Sequence, residues 1–513
     1  MEVRNPSTGA HVTLKPDQVS HFNHFAQVLT RQLEYLDLSV MGSGKTYITD
    51  ALAIHYGLTL LVICPKTAKG KWRQVIAETG ARCAQILSYN SLRSVKSKNG
   101  EILRVLKHGL LERKDDVGRK SYFVPTDKFQ QLVQGGILLV LDEIQNIKNN
   151  SSQFRACKAL TTCILTQKAT VSRFGLLSGS PFDKEEHVVN LLRLMGYIRN
   201  PQLFVFHRQV HTLKLLGAQE LIDACCRFHG FEKTVAAKEK IKLNKTTVHQ
   251  LCFRLFIDVI KPDICAAMAS PLIDAVRDVK DGYYRLAEPD RQALITAIAE
   301  LGRAARFNRN DQTIGQKDIE WGGITKALQH IELAKVPLLI RLAREKLQRN
   351  PKAKVIIFVS YIQSLINLCG GLNEFMPMCL YGQTKDSDRE LIIKFFQEDD
   401  RYRLLVSNLR VGGASIDLHD TRGDRPRTIF IVPTYSILDL HQASYRAFRQ
   451  GTRSTSTVRN VYGITGDTNE PDVLETSILR ALAKKKDVLR EVLDQQVAEG
   501  VKFPGDYPVE YEN

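Results

Sequence analysis

Short, unbroken apolar runs recur in two separate stretches of the chain, and between them the apolar positions change to helical spacing. In the first stretch the runs are Thr59–Cys64, Gln85–Leu87, Ile137–Leu141 and Phe174–Leu177, each bounded by polar or turn residues. Runs of this length without alternation fit strands buried on both faces of a parallel sheet. The segments between them are helix-like, so βαβ crossovers and a doubly wound α/β sheet follow. A short strand over Tyr35–Leu38 is expected ahead of them. From about Gly196 to Lys335 the texture is mainly helical. Val248, Leu251, Cys252, Leu255, Phe256, Val259 and Ile260 lie on one helix face, and Pro262 is expected to end that helix. Leu294, Ile298, Leu301 and Ala305 repeat the theme, and both stripes read as core. After a helix over Val336–Arg349, runs at Val355–Val359, Leu404–Ser407, Thr428–Val432 and Asn460–Tyr462 mark a second sheet. An amphipathic helix through Ile478, Leu482, Leu489 and Leu493 precedes a polar end, FPGDYPVEYEN. The pattern divides the chain into a first sheet domain (1–195), a helical insertion (196–335), a second sheet domain (336–470) and a C-terminal helix with its tail (471–513).

Composition narrows the class. Hydrophobic residues make up 43% and charged ones 25% of 513 residues, an ordinary globular balance with ample core. No apolar run is long enough to span a bilayer, and the segment MEVRNPSTGA has no signal-peptide core, so an intracellular location without membrane attachment is expected. The ten cysteines are scattered, which predicts reduced thiols instead of a disulfide framework. His207, His211, Cys225, Cys226 and His229 fall in one segment but lack paired zinc spacing. A net charge of +17 favours polyanionic partners, although much of it must be solvated surface.

Two stretches carry chemistry. In LSVMGSGKTYIT, Gly42 and Gly44 let the backbone turn its N–H groups toward phosphate oxygens. Ser43 lies between them, Lys45 supplies a point charge and Thr46 a hydroxyl for magnesium. The helix that follows sets its positive end beneath the phosphates. Ser39 stands where the first glycine of the full phosphate-loop pattern belongs, and a ligand-free glycine turn is the bland alternative. In LLVLDEIQNIKN, Asp142 closes a buried strand, where a carboxylate can hold Mg²⁺ through its waters. Glu143 beside it can take the proton of an attacking water. ATP and Mg²⁺ are therefore the expected cofactors.

With these motifs in order the chain resembles superfamily-2 helicase-type ATPases, nearest to the Swi/Snf-like helicases of large nucleocytoplasmic DNA viruses. The resemblance runs from Gln18 to about Tyr462. It implies two RecA-like sheet domains and assigns adenine recognition to Gln18 in LKPDQ. LVICPKTAKGKW and ILSYNSL resemble motifs Ia and Ib, LLSGSPFDKEEH motif III, KVIIFVSY motif IV and LLVSNLRVGGASIDLHD motif V. By that likeness Lys66, Ser88, Ser360 and the Gly412-Gly413 turn line a nucleic-acid track. DLHQASYRAFRQGTRS resembles motif VI and carries Arg446 and Arg449. Three apart on a helix, these arginines would project on one side and bring positive charge to the γ-phosphate as the two lobes close.

The expected activity is a nucleic-acid-stimulated ATP hydrolase that translocates on or unwinds nucleic acid, DNA ahead of RNA, in viral replication or transcription. Transcription or replication proteins are further expected partners. If the chain is viral, the host cytoplasm or nucleus is its site, with the virion as a further place. A remodelling or transcription factor without strand separation, and a scaffold that does not hydrolyse ATP, stay open as alternatives.

Overall fold

The computed structural model describes residues 1–40, 42–93, 105–114, 122–167, 169–207, 212–232, 234–235, 244, 247–268, 273–305, 307–308, 313–314, 321–409, 416–434, 436–449, 451–466, 471–472, 475, 491 and 506–511. The chain forms two compact units, Met1–Ser270 with Val488–Gly500 and Pro271–Asp487 with Val501–Asn513.

The first unit is built on a six-stranded sheet. Numbering only the strands of the two large sheets, these are β1 (Glu34–Asp37), β2 (Thr59–Cys64), β3 (Cys83–Ser88), β4 (Ile137–Asp142), β5 (Arg173–Leu177) and β6 (Cys265–Ala266). Their order is β6-β1-β5-β4-β2-β3, every neighbour parallel. Ile137 to Leu141 are all buried, as the unbroken run requires of a strand covered on both faces. Each such side chain contributes about 1.5–3 kcal/mol of hydrophobic stabilisation, so burial, more than local propensity, fixes this strand. Helices α1 (Pro16–Arg31), α2 (Lys45–His55) and α3 (Lys69–Thr79) cover the sheet, and Phe25, Tyr35, Trp72, Phe129, Phe154 and Phe174 fill the space between.

The second unit holds a seven-stranded sheet: β7 (Arg277–Arg285), β8 (Lys354–Val359), β9 (Met378–Leu380), β10 (Leu404–Asn408), β11 (Arg427–Ile431), β12 (Ser456–Ile464) and β13 (Val509–Tyr511). The order is β9-β10-β8-β11-β12-β7-β13, again all parallel. Helices α4 (Ile362–Gly371) and α5 (Ile437–Ser444) belong to this unit. Both units are thus RecA-like parallel-sheet bodies, as the apolar runs imply.

Three expectations need correcting. The stretch 196–335 is not one insertion: residues up to Ser270 join the first unit, where β6 extends the sheet, and Pro271 onward joins the second, where β7 is an inner strand. Pro262 does not end its helix. A π turn at Phe256–Ile260 carries the helix on without a break into Lys261–Ile264, so the proline sits inside a continuous helical run next to the widened turn. The polar end is not all tail, because Val509–Tyr511 pairs with Asp281–Tyr283. The expected helix through Ile478, Leu482, Leu489 and Leu493 lies outside the described residues.

Candidate nucleotide and nucleic-acid site

The glycine loop leaves the C-terminal end of β1. Gly42 (φ 81°) and Gly44 (φ 97°) both adopt left-handed backbone, which only glycine takes without strain. At Gly44 a second constraint applies, since a Cβ there would lie 2.2 Å from Gln18 Nε2. That amide donates to Ser43 O at 3.2 Å, and Gln18 Oε1 accepts from Lys15 N–H at 3.1 Å, so Gln18 braces the loop directly. α2 begins at Lys45, with Thr46 half-buried at its second position. Lys45 Nζ donates to Ser39 O at 2.7 Å and Val40 O at 3.2 Å, which holds the ammonium over the loop.

Ser39 gives the loop an anchor that glycine lacks. Its hydroxyl lies 3.1 Å from His21 Nε2 and accepts from Met268 N–H at 2.9 Å, while its own N–H donates to Asp37 Oδ1 at 2.9 Å. Main-chain bonds from Leu38 N–H to Ala266 O and from Val40 N–H to Met268 O continue the β1–β6 pairing into the loop. Burial alone would raise the Asp37 carboxyl. The neighbouring His21, Lys45 and Ser39 outweigh it and hold Asp37 below the usual carboxylate value.

The two acidic residues close β4, two strands from the loop. Asp142 Oδ2 accepts from Trp72 Nε1 at 2.9 Å, and its carbonyl accepts from the Tyr89 hydroxyl at 2.8 Å. Burial first, then the adjacent Glu143, push the Asp142 carboxyl up to about 7, although Trp72 and Lys45 act in the opposite sense. Glu143 sits in left-handed backbone (φ 57°), a conformation that non-glycine residues hold only where the surroundings impose it. Its Oε2 accepts from Gln145 Nε2 at 2.6 Å; Gln145 Oε1 accepts from the Ser178 hydroxyl at 2.7 Å, and Ser178 Oγ accepts from Ser180 N–H at 3.0 Å. The ends of β1, β5 and β4, three adjacent strands, therefore carry the loop, the Ser178-Gly179-Ser180 turn and the acidic pair on one edge. The half-buried Asp142 carboxyl, the buried Glu143 carboxyl and the Thr46 hydroxyl are hard oxygen groups of the kind Mg²⁺ takes, and the Lys45 ammonium is a cation suited to phosphate. Trp72 and Tyr89 as direct supports of Asp142, and Ser178 as a support of Glu143 through Gln145, are not evident from the sequence, since each lies far along the chain from what it holds.

The expected nucleic-acid residues differ in what they offer. Lys66 is exposed after β2. The Ser88 hydroxyl is occupied as a helix cap, accepting from Ser91 N–H at 3.1 Å and bonding Ser91 Oγ at 3.0 Å. Ser360 has its N–H on Glu332 Oε2 at 2.7 Å and its carbonyl on Asn408 Nδ2 at 2.7 Å. Gly412 and Gly413 lie outside the described residues.

In the second unit the arginines are not side by side on a helix, because α5 stops at Ser444 and both follow in turns. Arg446 is fully buried and donates to Ile416 O at 3.4 Å. Arg449 has 14% of its side chain exposed and pairs with Asp417 Oδ1 at 2.6 Å. Among the described residues no group of three or more His, Cys, Asp or Glu is arranged to hold a metal ion. His229 bonds Asp263 at 2.8 Å and Tyr197 at 2.9 Å, Cys225 is buried, and His211 lies outside the described residues. No described helix is long and apolar enough to cross a membrane.

The helicase conserved C-terminal domain matches residues 334–451. A protein of Acanthamoeba polyphaga mimivirus, named provisionally as an ATP-dependent RNA helicase, is 25% identical over 491 residues, covering 96% of this chain and 85% of its own length. Two structures of the SWI2/SNF2 ATPase core of Sulfolobus solfataricus are also similar, each 16% identical with a TM-score of 0.31. The complex with dsDNA is matched over 98% of this chain and 99% of that one, and the core domain alone over 96% and 95%. Two parallel-sheet units, a glycine loop and an Asp-Glu pair at strand ends of one sheet, and a matched helicase conserved C-terminal domain make this chain similar to helicase-type ATPases.

Proposed function

We propose that this chain is a nucleic-acid-stimulated ATP hydrolase that moves along DNA, separating strands or translocating on the duplex. The observation that carries the reading is the placement of Lys45, Asp142 and Glu143 at or after the ends of β1 and β4, at one edge of a single sheet with only β5 between them. The N–H groups of residues 42–46 and the Lys45 ammonium would hold the phosphates, with Gln18 close enough to the loop to meet the base. Thr46 and Asp142 would hold Mg²⁺, which neutralises charge on the phosphate oxygens when bound. Glu143, fixed by Gln145, accepts the proton of the attacking water. Arg449, on exchanging Asp417 for phosphate, supplies charge from the second unit, and Arg446 orders the turn behind it.

Lys66 and backbone N–H groups around the Ser88 and Ser360 turns would grip the sugar-phosphate chain without reading bases. Weak sequence preference and steep salt dependence follow. RNA is a second reading, favoured by the name of the mimivirus relative. An intracellular site of action fits this role, the host cytoplasm or nucleus for a viral chain, and transcription or replication proteins fit as partners. The test is the rate of phosphate release across single- and double-stranded DNA and RNA, with Lys45→Ala as control. Stimulation by duplex or single-stranded DNA above RNA supports the proposal. Equal, unstimulated rates that survive Glu143→Gln would leave only a binding scaffold.

A further inference from the structure

The second unit contains two of the ten cysteines, Cys369 and Cys379, and the fold sets them sulfur to sulfur at 2.6 Å. Cys369 belongs to the last turn of α4 and Cys379 to β9, the outermost strand of the sheet. Both are free thiols and both are partly exposed. Their separation is well inside the contact distance of two unbonded sulfurs and longer than the covalent bond of about 2.05 Å. The other polar contact of the pair is a long one, from Cys379 Sγ to Pro377 O at 3.9 Å. Nothing in the nucleotide chemistry uses these thiols.

We infer that Cys369 and Cys379 form a reversible oxidation site, closed to an intramolecular disulfide by a small-molecule disulfide such as oxidised glutathione. Cys379, as thiolate, attacks one sulfur of the oxidant; a Cys379–S bond forms, the oxidant's S–S bond breaks, and one small thiolate leaves. Cys369 loses its proton and attacks Cys379 Sγ, expelling the second small thiolate. The two protein protons end on the two small thiols, so two protein thiols are oxidised and one disulfide is reduced. The Cys369 thiol donates to Cys379 and holds it below the usual thiol value, although burial opposes this, which suits Cys379 to the first attack.

The bond would staple α4, which follows Ser360, to the edge strand that pairs with β10. Closing so short a loop in the unfolded chain should raise the unfolding temperature of this unit by about 5–10 °C. The experiment is incubation of the full chain with oxidised glutathione, then denaturation under thiol-blocking conditions, thiol counting and peptide mapping. The expected result is the loss of two thiols, a peptide linking Cys369 to Cys379, and a thermal shift that a reductant reverses. Cys369→Ser should instead trap a glutathione adduct on Cys379 and show no such shift. Recovery of both residues as free thiols, or as adducts that never link to each other in the wild-type chain, overturns the inference.

Discussion

Trp72 Nε1 donates a hydrogen bond to Asp142 Oδ2 at 2.9 Å, so an indole from the motif that resembles a nucleic-acid contact orients the carboxylate assigned to Mg²⁺. Trp72 itself is fully buried and cannot turn away without opening the core. Trp72→Phe keeps most of the packing and removes the donor. A hydrogen bond to a charged group is worth about 1.5–3 kcal/mol, so the Mg²⁺ concentration for half-maximal ATP hydrolysis should rise roughly tenfold. A Mg²⁺ titration that superimposes on the wild type would rule out this support role.

The two arginines of the last motif should separate cleanly in their effects. Arg449→Ala removes a partly exposed side chain paired with Asp417. Hydrolysis should fall by about 10³-fold or more, as for a charge supplied to phosphoryl transfer, while the melting temperature changes little. Arg446→Ala removes a fully buried side chain from beneath the turn, so loss of stability should accompany its loss of rate. Steady-state kinetics beside thermal unfolding of both variants checks the division. Equal loss of stability in both would deny Arg449 its chemical role.

Asp50 lies fully buried in α2, and both of its carboxyl oxygens lack a hydrogen-bond partner among the described residues. The nearby Thr79 hydroxyl already donates to Val75 O at 3.0 Å. Burial pushes the Asp50 carboxyl up to about 7. A carboxyl whose folded-state value is raised binds more protons folded than unfolded, so its contribution to stability falls as pH rises from about 4 to about 7. Asp50→Asn should flatten that decline and stabilise the chain at pH 8 by a few kcal/mol, because each tenfold change in proton affinity is worth about 1.4 kcal/mol. Urea unfolding at pH 5 and pH 8 measures it, and an unchanged pH slope in the variant would count against the assignment.

Lys335 and Glu475 form a buried ion pair in the second unit, with Lys335 also donating to Val461 O at 3.1 Å. Removing one partner strands the other charge away from water. Lys335→Met should cost about 3–5 kcal/mol, and Lys335→Met combined with Glu475→Leu should recover most of it. Denaturant unfolding of the single and double variants tests this. A double variant no more stable than the single one would show that the two charges are not coupled.

What could be read from the sequence was what depends on neighbours in the chain. Residues 42–46 and the Asp142-Glu143 pair each lie in a contiguous stretch, so spacing alone singles them out as candidates, and the unbroken runs at Thr59–Cys64 and Ile137–Leu141 became strands. Strand β7 was not legible because its residues, RDVKDGYYR, are largely polar. Their satisfaction comes from far along the chain, where Arg459 meets Asp278 at 2.6 Å and Asn460 donates to Asp281 at 2.7 Å. The same limit hid the capping role of Ser88 and the stop of α5 at Ser444, which removed Arg446 and Arg449 from a shared helix face. The division at residue 270 was obscured because the helices on its two sides look alike in pattern while packing into different cores.

Ser39 has a mechanical consequence through its bond to Met268. Met268 has its N–H fastened to Ser39 Oγ, and its carbonyl receives Val40 N–H. With glycine at position 39 the hydroxyl would be gone, and only main-chain bonds would tie this segment to the loop. The carbonyl of the same serine receives the Lys45 ammonium, so a single side-chain substitution at position 39 acts on both the seat of the lysine and the closure of the sheet.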